Sequence, residues 1–201
     1  WLSLDPYMRG RMNDVKSYVE PLQIGDVMTG ESTGVVVKSS SAHFNPGDHV
    51  AVHKGWQSYI VCDDNDPRLM KLDLTNGTLS AHLGVVGMPG RTAYFGLNEV
   101  GKPQAGETLV VAAASGAVGS AVGQIAKISG LRAVGIAGGE LKCAYVRDEL
   151  GFDDCIDYKA VGFDEKLKQA CPEGIDIYFE NVGGAVTKAV APMLNVGARV
   201  P

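Results

Sequence analysis

The stretch "TLVVAAASGAVGSAVGQ" at residues 108–124 constrains this chain more than any other. Its apolar, valine-bearing start reads as a strand over 108–114, buried on both faces. It runs almost directly into a helix over 117–129, with Val118, Val122, Ile125 and Ser129 along one face. The alternation continues downstream. "RAVGIA" (132–137) predicts a strand, 140–150 a helix ending before Gly151, and "DDCIDY" (153–158) another strand. A helix near 163–171, the strand "IDIYFEN" (175–181) and a helix after Gly184 follow, and "GARVP" reads as a strand just beginning. Strands and helices joined by short links form βαβ units on a parallel sheet, so this part is α/β.

The first third has another rhythm. Residues 24–62 hold short β-branched runs, "GVVV", "HVAV" and "YIVC", separated by turn residues. "NPGD" (Asn45 to Asp48) is a strong turn, because proline fixes φ and glycine accepts positive φ. A mostly antiparallel β unit is expected there. The boundary falls within 75–95, around "LGVVGMPGRTAYFGL", which divides the chain into 1–85 and 86–201. Trp1 opens the chain without a Met, inside what reads as a strand end, so a piece of a longer protein is expected, with both domains cut.

Bulk properties exclude some classes. With 18 basic and 23 acidic residues the net charge is −5, and no basic run supports a nucleic-acid or membrane-surface partner. No apolar segment approaches the ~18 residues that span a bilayer, and no signal-peptide layout opens the chain. Cys62, Cys143, Cys155 and Cys171 lie far apart, without a CxxC pair, and read as small core residues.

The small residues after the first parallel strand have two readings. They let the helix pack closely on the sheet, or they leave its first N–H groups open to an anion. The dinucleotide fingerprint GxGxxG maps onto Ala114, Gly116 and Gly119, or in a longer spacing Ala113, Gly116 and Gly119. Its place between a buried strand and an amphipathic helix favours a dinucleotide. An NAD site carries an acid about 20 residues further on, at the end of the second strand. That position here is Gly138–Gly139, with Glu140 already inside the next helix and Lys142 able to meet a 2′-phosphate. NADP is therefore favoured over NAD.

Taken together, "LSLDPYMRGRM", "GWQSYIV", "LGVVGMPGRTAYFGL", "AAASGAVGSAVGQIAK", "GIAGGELKCAYV", "IDYK" and "IYFENVGG" resemble the zinc-independent medium-chain dehydrogenase/reductases. Within them the likeness is to the NADP-dependent double-bond reductases of the 2-alkenal, curcumin and prostaglandin type. The resemblance implies a GroES-like β domain followed by a Rossmann domain. It implies NADP contacts at Gly116, Ala117 and Val118 for the pyrophosphate, and at Gly138, Lys142 and Tyr158 for the 2′-phosphate. Asn181 is implied at a strand's carboxyl end, and Met88 and Thr92 on the nicotinamide side. Tyr7 of "DPYMRG" is implied as the substrate-side donor. The implied reaction is reduction of a C=C bond conjugated to an aldehyde or ketone, in a cytoplasmic homodimer. A zinc-free quinone oxidoreductase or a non-catalytic NADP-binding sensor are the alternatives. No metal is expected, since Gly30 of "TGESTG" stands where zinc-dependent relatives carry a histidine, and no four-cysteine lobe exists.

Overall fold

Two sheets follow from the two rhythms of the sequence. The computed structural model describes residues 1–17 and 19–201. The chain divides into two compact units, Trp1–Gly87 and Met88–Pro201. The division falls two residues past the expected one, where the backbone doubles back: a Cβ on Gly87 would lie 2.1 Å from the His82 carbonyl oxygen. Pro89 then occupies the first turn of a helix, where its missing N–H costs nothing.

In the first unit a short helix, α1 (Tyr7–Arg11), precedes an antiparallel sheet of β1 (Ser32–Val35), β2 (His49–Val52) and β3 (Met70–Lys71), in that order. The "NPGD" turn feeds β2. The Asp48 carboxylate accepts the Asn45 N–H at 2.8 Å, and Gly47 takes φ +94°. Met8, at 2% exposure, buries α1 against Gly30: a Cβ there would meet Met8 Cε at 2.7 Å, Ser3 Oγ at 3.2 Å and Trp56 Nε1 at 3.3 Å.

The second unit opens with α2 (Met88–Phe95), which packs against α3 (Ala117–Ile128). Its sheet contains β4 (Thr108–Ala112), β5 (Arg132–Ala137), β6 (Asp154–Asp157), β7 (Ile175–Phe179) and β8 (Leu194–Arg199). Between them lie α4 (Glu140–Ala144), α5 (Phe163–Ala170) and α6 (Gly184–Val190). All pairings are parallel and the strand order is β6-β5-β4-β7-β8. Every β4 residue is buried, with Leu109 and Val111 in the core under α3 and Val110 and Ala112 in the core under α5 and α6. A strand covered on both faces needs apolar residues at every position, which explains the unbroken run.

Several expected boundaries move. The strand predicted to reach residue 114 stops at Ala112, because Ala113 turns left-handed with φ +51°. The helix expected over 140–150 is α4 followed by a π-helical turn at Tyr145–Glu149. The strand expected through 181 ends at Phe179. The last strand is not beginning at "GARVP" but ending there, since β8 starts at Leu194 and pairs with β7.

Candidate functional site

Chain direction reverses across β4. From β4 the chain moves outward through β5 to β6, then returns to lay β7 on the other side of β4. Open α/β sheets bind ligands at such a switch point, outside the carboxyl ends of the strands. Three loops of this unit meet that description.

The first is the β4–α3 turn. Ala113 bends the chain, its carbonyl accepting the Gly116 N–H at 2.8 Å, and Ser120 N–H reaches the Gly116 carbonyl at 2.9 Å. Because Ala113, not Ala114, makes the bend, the longer spacing Ala113, Gly116, Gly119 describes the turn. Gly116 caps α3 in extended conformation (φ −80°, ψ 170°), and no side chain closes the helix end. The first-turn N–H groups, among them those of Ala117 and Val118, have no acceptor inside the helix. Ala117 is exposed and Val118 half-buried. The other glycines serve packing. A Cβ on Gly119 would fall 2.4 Å from the Ala113 carbonyl oxygen, and one on Gly123 would fall 1.8 Å from Phe152 Cζ. The small residues thus leave the helix end open at 116 and allow close packing at 119 against the β4 turn and at 123 against Phe152.

The second loop follows β7. The Asn181 side-chain amide donates to the Ala112 carbonyl at 3.0 Å, bridging the ends of β4 and β7. Beside it the Glu180 carboxylate accepts from the Val182 N–H at 2.6 Å, the Gly183 N–H at 2.8 Å, the Tyr178 hydroxyl at 2.8 Å and the Thr187 hydroxyl. Burial would push this carboxyl up, but the hydrogen bonds outweigh it and hold it below its ordinary range. The Tyr178 phenol moves up instead, through burial and the adjacent carboxylate.

The third lies beyond β5 and β6. Gly138 and Tyr158 are brought together: a Cβ on Gly138 would lie 2.9 Å from Tyr158 Cε1 and 3.1 Å from its hydroxyl. Tyr158 is 45% exposed, and its ring edge and hydroxyl both lie over the glycine. Asp157 Oδ1 accepts the N–H groups of Gly139 at 2.8 Å and Lys159 at 2.9 Å. These backbone donors, that of Lys159 first, hold the Asp157 carboxyl below its ordinary range. Glu140 is taken by Arg147, 2.6 Å away. Lys142 stands exposed on α4, in no ion pair among the described residues.

The remaining expected residues are placed as follows. Met88 begins α2 and is 43% exposed. The Thr92 hydroxyl donates to the Met88 carbonyl at 2.9 Å, a bond within its own helix. Tyr7 begins α1 in the other unit and is half-buried. Cys143 and Cys155 hydrogen-bond each other inside the core, and burial raises both thiols; burial also pushes Cys171 up to about 11.

A family profile described as the N-terminal domain of oxidoreductase matches residues 1–71, and one described as zinc-binding dehydrogenase matches 117–201. The chain is 53% identical to NADPH-dependent curcumin reductase of Escherichia coli (strain K12), over all of this chain and 58% of that one. It is 42% identical to 2-alkenal reductase (NADP(+)-dependent) of Nicotiana tabacum, over all of this chain and 59% of that one. The crystal structure of CurA in complex with NADPH from Vibrio vulnificus is 55% identical, with a TM-score of 0.92 over all of this chain and 59% of that one. The chain belongs to the medium-chain dehydrogenase/reductases. Its relatives within them are the double-bond reductases, and it spans under three-fifths of their length.

The name of the second profile raises zinc, and the residues do not fit it. Among the described residues no group of three His, Cys, Asp or Glu side chains could hold a metal ion. Position 30 holds a glycine at φ +159°, where even a Cβ would stand 2.7 Å from Met8 Cε. The His53 ring instead meets the Thr29 hydroxyl at 3.3 Å, and the His82 ring the Asp73 carbonyl at 3.2 Å. No helix of the described residues is long and apolar enough to cross a membrane.

Sequence reasoning passed over Asp157 and Glu180. Both stand at the carboxyl end of a parallel strand in a quoted motif, "IDYK" and "FENVGG", and that position was the available signal.

Proposed function

We propose that the protein reduces the C=C bond of α,β-unsaturated aldehydes or ketones with NADPH. The observation that carries the cofactor half is the uncapped start of α3 at Gly116, with the β7 loop held beside it by Asn181. Gly116, Ala117 and Val118 bind the pyrophosphate through backbone N–H groups and the positive end of the helix. Any side chain at 116 would stand in that approach, its Cβ already 3.1 Å from the Ala113 carbonyl oxygen. Gly138, Lys142 and Tyr158 take the 2′-phosphate, the lysine as a charge and the phenol as a donor. Asn181, Met88 and Thr92 line the nicotinamide side, the Thr92 hydroxyl donating to the Met88 carbonyl and keeping its lone pairs as acceptors.

When bound, NADPH would supply a hydride to the alkene carbon β to the carbonyl, so that negative charge would develop on the carbonyl oxygen and the α-carbon would take a proton from solvent. Tyr7 donates a hydrogen bond to that oxygen, where a donor aimed at developing charge lowers the barrier most. Burial of Met8 against Gly30 anchors the short helix α1, on which Tyr7 stands. The homodimer is part of the same reading and rests on the family likeness.

Steady-state oxidation of NADPH by the full-length protein tests this. Turnover is expected with 2-alkenals and enones, and Tyr7→Phe is expected to lower kcat roughly 10²-fold, in the range of a lost oxyanion donor. Activity confined to quinones would replace the reading with a quinone oxidoreductase. NADPH binding without turnover of any acceptor would leave a sensor.

A further inference from the structure

Lys159 follows Tyr158 and has so far been only a backbone donor to Asp157. Its side chain has a defined place. A Cβ on Gly138 would lie 3.1 Å from Lys159 Cε, as close as it would lie to the Tyr158 hydroxyl. The last methylene of Lys159 therefore rests on Gly138 beside the phenol, with Nζ 5.8 Å from the Tyr158 ring centroid. The residue is exposed and its ammonium enters no ion pair among the described residues.

The backbone beneath is pinned. One oxygen of Asp157 takes the N–H of Gly139 from the β5 loop and that of Lys159 from the β6 loop, tying the two together. The nearby carboxylates are engaged: Asp157 by these N–H groups, Glu140 by Arg147. The Lys159 stem and the Tyr158 hydroxyl thus lie side by side over a glycine, on a loop held from below.

We infer that Lys159 is a specificity-determining residue for the 2′-phosphate of the coenzyme, with Asp157 as its positioning residue. This rests on the reading of Gly138 and Tyr158 as the 2′-phosphate corner. A dianionic phosphate there meets the Lys159 ammonium and the Tyr158 hydroxyl together, and loses both when a ribose hydroxyl replaces it. Lysine suits the role, being a compact charge on a flexible stem that needs no fixed fork geometry.

The test is calorimetric titration of the full-length protein with adenosine 2′,5′-bisphosphate, 5′-AMP, NADPH and NADH, free of any turnover readout. Lys159→Gln is expected to weaken the bisphosphate and NADPH roughly tenfold, as for one charge-assisted hydrogen bond. Binding of 5′-AMP and NADH stays as in the parent, and Lys159→Arg keeps most of the bisphosphate affinity. If Lys159→Gln binds the bisphosphate like the parent while Tyr158→Phe weakens it, the assignment of Lys159 is overturned and the corner stands. Equal losses for all four ligands would mean a merely structural lysine and overturn it too. A parent that binds 5′-AMP as tightly as the bisphosphate would overturn the corner itself.

Discussion

Glu180 carries more hydrogen bonds than any other side chain of the site, receiving two backbone N–H groups and two hydroxyls. They turn the chain out of β7 and into α6, and so set Asn181 where it can reach β4. Glu180→Gln replaces an all-acceptor group with one that presents its own donors to donors, and is expected to cost about 1–3 kcal/mol. Because the folded-state pKa lies below the ordinary 4.5, the stabilisation is complete above about pH 4.5 and is lost as the pH falls through the folded value. Thermal melts across pH check this: the gap between parent and variant should be full at neutral pH and close in acid. Ala113 shows the opposite limit of legibility. Its left-handed φ of +51° carries a cost that glycine would avoid, and an alanine in sequence gives no sign of it. The bend became visible only as the carbonyl contacts of Gly116 and Gly119 closed around it.

At the scale of elements, the glycines of α3 decide how closely its backbone approaches its neighbours. Gly119 admits the β4 turn on one side, and Gly123 admits the Phe152 ring on the other. Gly123→Ala places a methyl 1.8 Å from Phe152 Cζ, and overpacking of this kind costs about 1–3 kcal/mol. Urea unfolding should show that loss, and Phe152→Leu in the same chain should recover part of it, a coupling that distant sites would lack. The helix itself was legible, since its apolar face repeats at 3.6 residues. The π-helical turn after α4 was not, because the Arg147 bonds to Glu140 and to the Cys155 carbonyl depend on a strand that comes later in the chain. Likewise only the end of β8 reads as strand, at "GARVP", until β7 lies beside its start at Leu194.

Across the whole second unit, loops at 113–119, 138–142, 157–159 and 180–184 are separated in sequence and meet at one edge of one sheet. NADPH should therefore protect all four together. At a hundredfold excess over Kd the coenzyme adds about 2.7 kcal/mol to the stability of whatever binds it. Hydrogen exchange of the full-length protein with and without NADPH should slow in these four loops while β1, β2 and β3 exchange unchanged. Slowing confined to the β4–α3 turn would remove the other three from the site. The kind and order of the elements, and the small residues at the start of α3, are set by the sequence alone. Strand and helix periods and the space beside a glycine are local properties of a chain. That β7 returns to the far side of β4, and that Asp157 and Glu180 gather their donors there, was decided by the tertiary structure. A hydrogen bond or a charge has no meaning until its partner, tens of residues away, is brought within a few ångströms.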